Sequence, residues 1–451
     1  MKKSRKKPYL IERILSLLLI FSLIGVAADT QRRMERNRTR KMEEVQQEAV
    51  AAMRAQELSA STLRRYDARL NGKMTYVKDQ GELGTCWAVA ATSAMEATLL
   101  PQEQIIYSAD HITMHNSFAK GPNDGGGHSM VMAYLTAWQG PVREDEDPYG
   151  DGYSPEGLLP VRHVQSIQLY QDRDTEGIRE AILQTGAVQS SIYMDLRNAD
   201  ATSEYYNTAN ASYYYDGEEA VNHDVVIIGW DDDYPAENFS RMPTQNGAFL
   251  CQNSWGSDFG EDGVFYVSYD DVHLGNTAIC YSGIEETDNY DILHQSDLCG
   301  WVGQLGYGSE TAFMANAYVS EGEEALSAVG FYATGKNTAY EVYVIHDSTE
   351  PGNLLMEQPA AAGTIAQTGF ETIPLETPVS LKAGESFVVA VKVTTPGTEL
   401  PVAVEYAMDE FTKTVDISDG TGYISLDGVL WTGTEETHSC NICLKAYSRI
   451  Q

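Results

Sequence analysis

The sequence predicts an α+β domain followed by an all-β sandwich, and three observations carry that prediction. The Ala-rich stretch from Cys86 to Ala97 (CWAVAATSAMEA) contains no Gly or Pro and reads as a helix. After Gly186 the pattern turns to short β-branched and aromatic runs: Val188–Tyr193, Val225–Gly229, Ala248–Asn253 and Val264–Tyr269. Beyond Tyr281 it changes again, to short alternating strands between turn clusters such as Thr349-Glu350-Pro351-Gly352-Asn353 and Asp419-Gly420-Thr421-Gly422.

The chain has 451 residues, room for two or three domains, and 43% of them are hydrophobic, an ordinary globular mixture. Its net charge of −34 excludes nucleic acid as a partner class, because nothing would neutralise phosphates. The basic residues concentrate in the first forty positions, so the rest is more acidic than the total suggests.

Taken in order, Met1 to Lys7 is basic and Ile14 to Ala28 (ILSLLLIFSLIGVAA) is uninterrupted and apolar. That run falls short of the ~20 residues a membrane span needs and suits the apolar core of a secretory signal. Val26-Ala27-Ala28 supplies small residues for cleavage, so 1–28 reads as a signal peptide; an uncleaved signal anchor is the other reading. Either way the expected location is secreted or on the extracellular surface. Residues 29–62 are charged and helical in character, a short pro-segment or a spacer. Helices are expected over Ser129–Trp138 and Thr175–Thr185. In the last third, strands are expected over Tyr340–Ile345, Ser386–Val393, Val402–Tyr406 and Ile442–Tyr447.

The chemistry concentrates around Gln80-Gly81-Glu82-Leu83-Gly84-Thr85-Cys86-Trp87, a loop running into a helix. A thiol on the first turn feels the positive end of the helix dipole, which can lower a cysteine pKa from about 8.5 to roughly 3.5–7.5. Taken alone, Cys86 reads first as a small apolar residue filling a core. A thiolate nucleophile also needs a base, a group to orient that base and donors for an oxyanion. Downstream, Asn222-His223-Asp224 heads a β-branched run, and Asn253-Ser254-Trp255-Gly256 ends another.

The ordered set Gln-x5-Cys-Trp, Asn-His and Asn-Ser-Trp-Gly resembles the papain-like cysteine peptidases over roughly residues 63 to 283. The resemblance implies a helical lobe and a β-barrel-like lobe with the site in the cleft between them. It sets domains at 63–285 and 286–451. It implies Cys86 as nucleophile and His223 as the base that later protonates the leaving amine. Asn253 would orient the imidazole, Gln80 would donate to the oxyanion beside the Cys86 N–H, and Trp255 would shield the His–Asn bond from water. No cofactor and no metal are implied.

The sequence departs from that family at three places. Many relatives brace the loop with a disulfide from a cysteine three residues before the nucleophile; here that position is Leu83, and Gly121–Gly127 contains no cysteine. Apolar packing of Leu83 is therefore expected to hold the loop. Gly125, Gly126 and Gly127 read either as a flat backbone wall for an extended peptide or as a flexible loop. Asp224, commonly alanine in the family, would raise the histidine's pKa if it faced the site, whereas strand alternation points it away.

The runs Gly300-Trp301-Val302-Gly303, Leu305-Gly306-Tyr307-Gly308 and Ala328-Val329-Gly330-Phe331-Tyr332 resemble the lectin-like sandwich that follows papain-like domains in some bacterial, clostridial-type surface peptidases. Trp301, Tyr307 and Trp431 suit either sugar stacking or a core. His111 and His115 lack the glutamate of a zinc-protease motif and read as structural or surface residues. Cys251, Cys280, Cys299, Cys440 and Cys443 suggest no pairing, and strand alternation sets Cys440 and Cys443 on opposite faces. The expected function is a secreted cysteine endopeptidase acting on proteins or peptides, with a cell-surface or carbohydrate ligand conceivable for the sandwich. The rival is a catalytically silent adhesin on a peptidase fold, and acyl transfer to an amine would use the same residues.

Overall fold

Helix α1 (Cys86–Leu99) is buried on every face from Trp87 to Ala97, and its small side chains let flanking elements approach closely. The computed structural model describes residues 62–199, 201–418 and 421–451, so the readings made for residues 1–61 lie outside the described residues. An internal ion pair ties α1 to the chain that leads into it. Lys78 Nζ lies 2.6 Å from Glu96 Oε1 and 2.7 Å from Thr92 Oγ1, while Thr75 Oγ1 donates to Glu96 Oε2 at 2.5 Å. The Tyr107 N–H donates to the same carboxylate at 2.9 Å, so the buried charge is fully satisfied.

Around α1 stand α2 (Ala109–Met114), α3 (His128–Thr136) and, across the sheet, α4 (Thr175–Thr185). The expected span of α4 is met residue for residue; α3 starts one residue early and ends at Thr136, and α2 was not anticipated. Strand β1 (Arg65–Asp67) leads in and gives way to a turn of 3-10 helix at Ala68. Strands β2 (His163–Gln171), β3 (Val188–Ile192), β4 (Tyr206–Asn207), β5 (Ser212–Tyr213), β6 (His223–Asp231), β7 (Ala248–Gln252), β8 (Val264–Ser268) and β9 (Thr277–Glu285) follow. They pair in the order β2-β9-β3-β6-β7-β8-β5-β4, with β1 on β6.

This sheet does not stop at β2. The strand Thr368–Leu381 pairs antiparallel with it, Thr368 opposite Leu169 and Glu371 opposite Ser166. Strands 324–333, 444–450 and 292–294 continue beyond, making one 13-stranded sheet. A six-stranded sheet built on Ser386–Thr394 packs against that extension, with Val329, Phe331, Val389, Val391 and Leu444 in the core between them. The α1 core likewise runs on into Phe370, Tyr332 and Tyr447 of the sandwich. All five cysteines outside the α1 loop are buried and free; Cys440 sits in the sandwich core and Cys443 in the core shared with α1, and neither lies in a strand, because Cys443 falls in a break between Asn441–Ile442 and Leu444–Ile450.

Candidate active site

Three short segments converge at the head of α1. Asp79 bridges to Trp255, and the Gln80 N–H donates to Ser254 O at 2.8 Å, so the loop before α1 lies along the end of β7. Strands β6 and β7 pair, Val226 opposite Gln252, which sets His223 at the start of one beside Asn253 at the end of the other. His223 Nε2 and Asn253 Oδ1 are 2.7 Å apart. The Asn253 oxygen also accepts the Ser254 N–H at 2.9 Å, which fixes the amide's orientation. With Nε2 held as the donor to that oxygen, Nδ1 is left as the ring's acceptor. The Trp255 ring lies 5.0 Å from the imidazole and is itself held edge-on by Phe259 at 5.1 Å.

Cys86 is half-buried and free. Thr85 begins α1 without a side-chain cap, because its hydroxyl is bonded to Tyr149 Oη instead. The N–H groups of Cys86 and Trp87 therefore remain uncapped at the thiol, and both favour its ionised form. Burial nevertheless dominates, pushing the thiol up to about 12, with the Asp224 carboxylate adding to the push. Burial likewise drives His223 down to about 4, against the Asn253 hydrogen bond. A lone thiolate and a lone imidazolium are both disfavoured here; a proton passed from one to the other creates two charges that compensate each other.

Gln80 Oε1 accepts from Ser254 Oγ at 2.5 Å, and its Nε2 donates to Leu83 O at 2.8 Å, leaving a second amide hydrogen for a ligand. That contact also corrects the expectation for the loop. Leu83 is half-buried and its side chain joins no core cluster among the described residues; polar bonds from Gln80, with Tyr149 Oη donating to Gln80 O at 2.9 Å, close the loop instead. Gly126 lies flat against the Trp87 ring, where an added Cβ would meet the indole at 2.4 Å, and Gly125 passes close to Gly84. Asp224 points away from the imidazole, into bonds from Ser191 Oγ at 2.6 Å and Gln189 Nε2 at 2.7 Å. It is the thiol, and not the histidine, that feels its charge.

Ser254, Tyr149, Gln189 and Ser191 support the site and were not singled out from sequence. Ser254 was within reach, being part of Asn-Ser-Trp-Gly; the other three carry no local signature. His111 and His115 stack at 4.4 Å, and His111 Nδ1 is 2.6 Å from Tyr134 Oη. Among the described residues no group of three or more His, Cys, Asp or Glu side chains is placed to hold a metal ion. Trp301 packs on Tyr332 at 5.9 Å and Trp431 on Phe313 at 6.4 Å, while Tyr307 is exposed; no ring contact joins any two of the three.

Comparison with known proteins agrees with this architecture. Residues 63–286 match the papain family of cysteine proteases and residues 293–448 match the lectin-like domain family. Residues 63–286 are thus a papain-family cysteine protease segment, and a lectin-like domain follows it. The clostridial cysteine protease Cwp84 after propeptide cleavage superposes with a TM-score of 0.75 at 24% identity, covering 86% of this chain and 99% of that one. The cysteine protease and lectin-like domains of Cwp84, a surface layer associated protein of Clostridium difficile, give 0.74 at 24% identity over 86% and 89%. At that identity the likeness establishes the fold. A viral cathepsin of Adoxophyes honmai nucleopolyhedrovirus is 26% identical over 211 residues, 45% of this chain and 56% of the relative. Procathepsin L of Felis catus is 27% identical over 226 residues, 47% and 63% respectively. The chain thus spans about half the length of the curated relatives it matches.

Proposed function

We propose that the protein is a secreted cysteine endopeptidase. Cys86 Sγ gives its proton to His223 Nδ1 and attacks a peptide carbonyl. The oxyanion is met by the Cys86 N–H and the free hydrogen of Gln80 Nε2, and His223 then protonates the leaving amine. Water, activated by the same imidazole, hydrolyses the acyl-enzyme. The observation that carries this reading is the 2.7 Å His223–Asn253 bond, set under Trp255 next to a helix that starts uncapped at a free thiol. Substrates are proteins or peptides, no nucleic acid is involved, and the surface-layer association of Cwp84 favours a surface location here too.

One observation favours the rival, a silent surface-binding protein: burial and Asp224 both hold the thiol neutral. The deciding experiment is labelling with an epoxide or activity-based thiol probe, mapped by mass spectrometry. Stoichiometric modification at Cys86 that disappears in His223→Ala at neutral pH supports the peptidase. A folded, processed protein that takes no label leaves the binding-platform reading in its place.

A further inference from the structure

The sandwich faces the peptidase segment across a groove of about 320 Å³. Gly126, Gly127 and Met130 line one side; Trp301, Met408 and Phe411 of the sandwich line the other. The walls are tied together at their base. The Ala119 N–H donates to Phe411 O at 2.8 Å, Thr414 Oγ1 to Ser117 O at 2.6 Å, and the Lys120 ammonium sits 4.1 Å above the Phe411 ring. Phe411 and Met408 are nevertheless 39% and 56% exposed, so two large apolar side chains edge an open channel.

The channel reaches the neighbourhood of Cys86 through one contact. Its Gly126 wall lies on the indole of Trp87, the residue after Cys86. A separate hollow is lined by Gln80, Leu83, Met194, Asn222, His223 and Trp255, and shares no residue with the groove. When a peptide is cleaved, His223 protonates the leaving amine, so the chain downstream of the scissile bond runs along His223 and Trp255. The acyl side then runs the opposite way, over Gly126.

We propose that the sandwich completes the upstream half of the substrate cleft. The residues before the scissile bond extend along Gly126 and Gly127 and seat large apolar side chains against Trp301, Met408 and Phe411. This rests on the peptidase reading, and it makes the second domain a specificity element of the enzyme. Gly126 and Gly127 supply a wall without side chains, open to backbone pairing, while the apolar rim selects the substrate side chains that reach it.

The test uses the full chain carrying Cys86→Ala and two labelled peptides, with binding read by fluorescence polarisation. One is short; the other is the same peptide extended upstream by leucine and phenylalanine. Burial of two apolar side chains predicts at least about tenfold tighter binding of the extended peptide. Met408→Asp and Phe411→Ser, each added to Cys86→Ala, should erase most of that ratio. No gain from the extension, a gain unchanged in both variants, or equal weakening of both peptides overturns the proposal. So does binding of a synthetic 31–58 peptide that Met408→Asp abolishes while the extension gains nothing, since the groove would then belong to the chain's own N-terminal segment. Hydrolysis of the short peptide by the wild type reports separately on the peptidase reading. Cleavage without an extension effect sinks the groove alone, and an extension effect without cleavage sinks the peptidase.

Discussion

Two junctions hold this molecule together, and they are made of different things. At the cleft, the loop before α1 meets the ends of β6 and β7 through a few side chains: Gln80 to Ser254, His223 to Asn253, and Trp255 beside the imidazole. At the seam between peptidase and sandwich, β2 meets Thr368–Leu381 through backbone pairing, reinforced by Ser166 Oγ on Glu371 at 2.7 Å and by Phe370 in the shared core. The cleft depends on which residues are present. The seam depends first on what the backbone can reach, and its side-chain bonds add to pairing that the main chain already makes.

The sharpest way to break that comparison is to substitute one residue at each junction and read both activity and stability. At the cleft, His223→Ala should lower kcat/KM on a peptide substrate by at least about 10³-fold while the melting temperature hardly moves. A variant that unfolds, or keeps its activity, would contradict the division. At the seam, Gly369 has φ +134°, and a Cβ there would stand 2.0 Å from Ile167 O. Gly369→Ala should therefore cost about 3 kcal/mol or more of stability in urea unfolding. The fraction that remains folded should still take a thiol probe at Cys86. Loss of labelling in the folded fraction would mean that the seam sets the site's geometry.

Buried ionisable groups extend the contrast, because the two parts respond to acid with opposite sign. In the peptidase part, burial and the neighbouring His115 push His111 down to about 4. The unfolded chain takes up that proton below about 6.5 and the folded one does not, so stability falls as pH drops from 6.5 toward 4. At pH 5 the loss is about 2 kcal/mol. In the sandwich, burial and Asp297 push Glu405 up to about 7. Here the folded state holds the extra proton, so stability falls as pH rises from about 4.5 to 7. Urea titrations at pH 5 and 7 should show His111→Gln flattening the acid loss and Glu405→Gln flattening the loss toward neutrality. Both variants shifting the profile the same way would refute the assignment.

The same contrast explains what was legible in the sequence. Cys86, His223, Asn253 and Gln80 stood out because together they form an ordered set, Gln-x5-Cys-Trp, Asn-His and Asn-Ser-Trp-Gly, that resembles one family's motifs. The Thr175–Thr185 helix stood out through its residue pattern and the Gly186 that follows it, and the structure adds a cap from Asp174. β2 was missed because His163-Val164-Gln165-Ser166-Ile167-Gln168 mixes polar residues on a strand buried from both sides, where Gln165 Oε1 accepts from Thr372 and Ser166 Oγ donates to Glu371. Those partners lie more than two hundred residues away, so no local pattern announces them. The loop brace was misassigned for a related reason: Leu83 contributes its carbonyl, and any residue at that position has one.

Asp224 is where the cleft's dependence on residue identity can be measured most finely. Its carboxylate is held by Ser191 and Gln189, and Gln189 Nε2 also reaches Trp87 O at 3.1 Å while its Oε1 accepts from Tyr281 Oη at 2.6 Å. The charge is thus fixed beneath the thiol by a buried network. A nearby negative charge disfavours a thiolate, so removing it should let the thiol ionise more readily. Asn fits the same place, with its oxygen toward Gln189 and its amide toward the Ser191 hydroxyl. Asp224→Asn should therefore move the pH profile of Cys86 alkylation by iodoacetamide to lower pH. The smaller change Ser191→Ala should leave it near that of the wild type, since the charge stays. An unmoved profile in Asp224→Asn would mean that burial alone sets the thiol's reluctance to ionise. A profile moved to higher pH would mean that the network, and not the charge, is what Asp224 contributes.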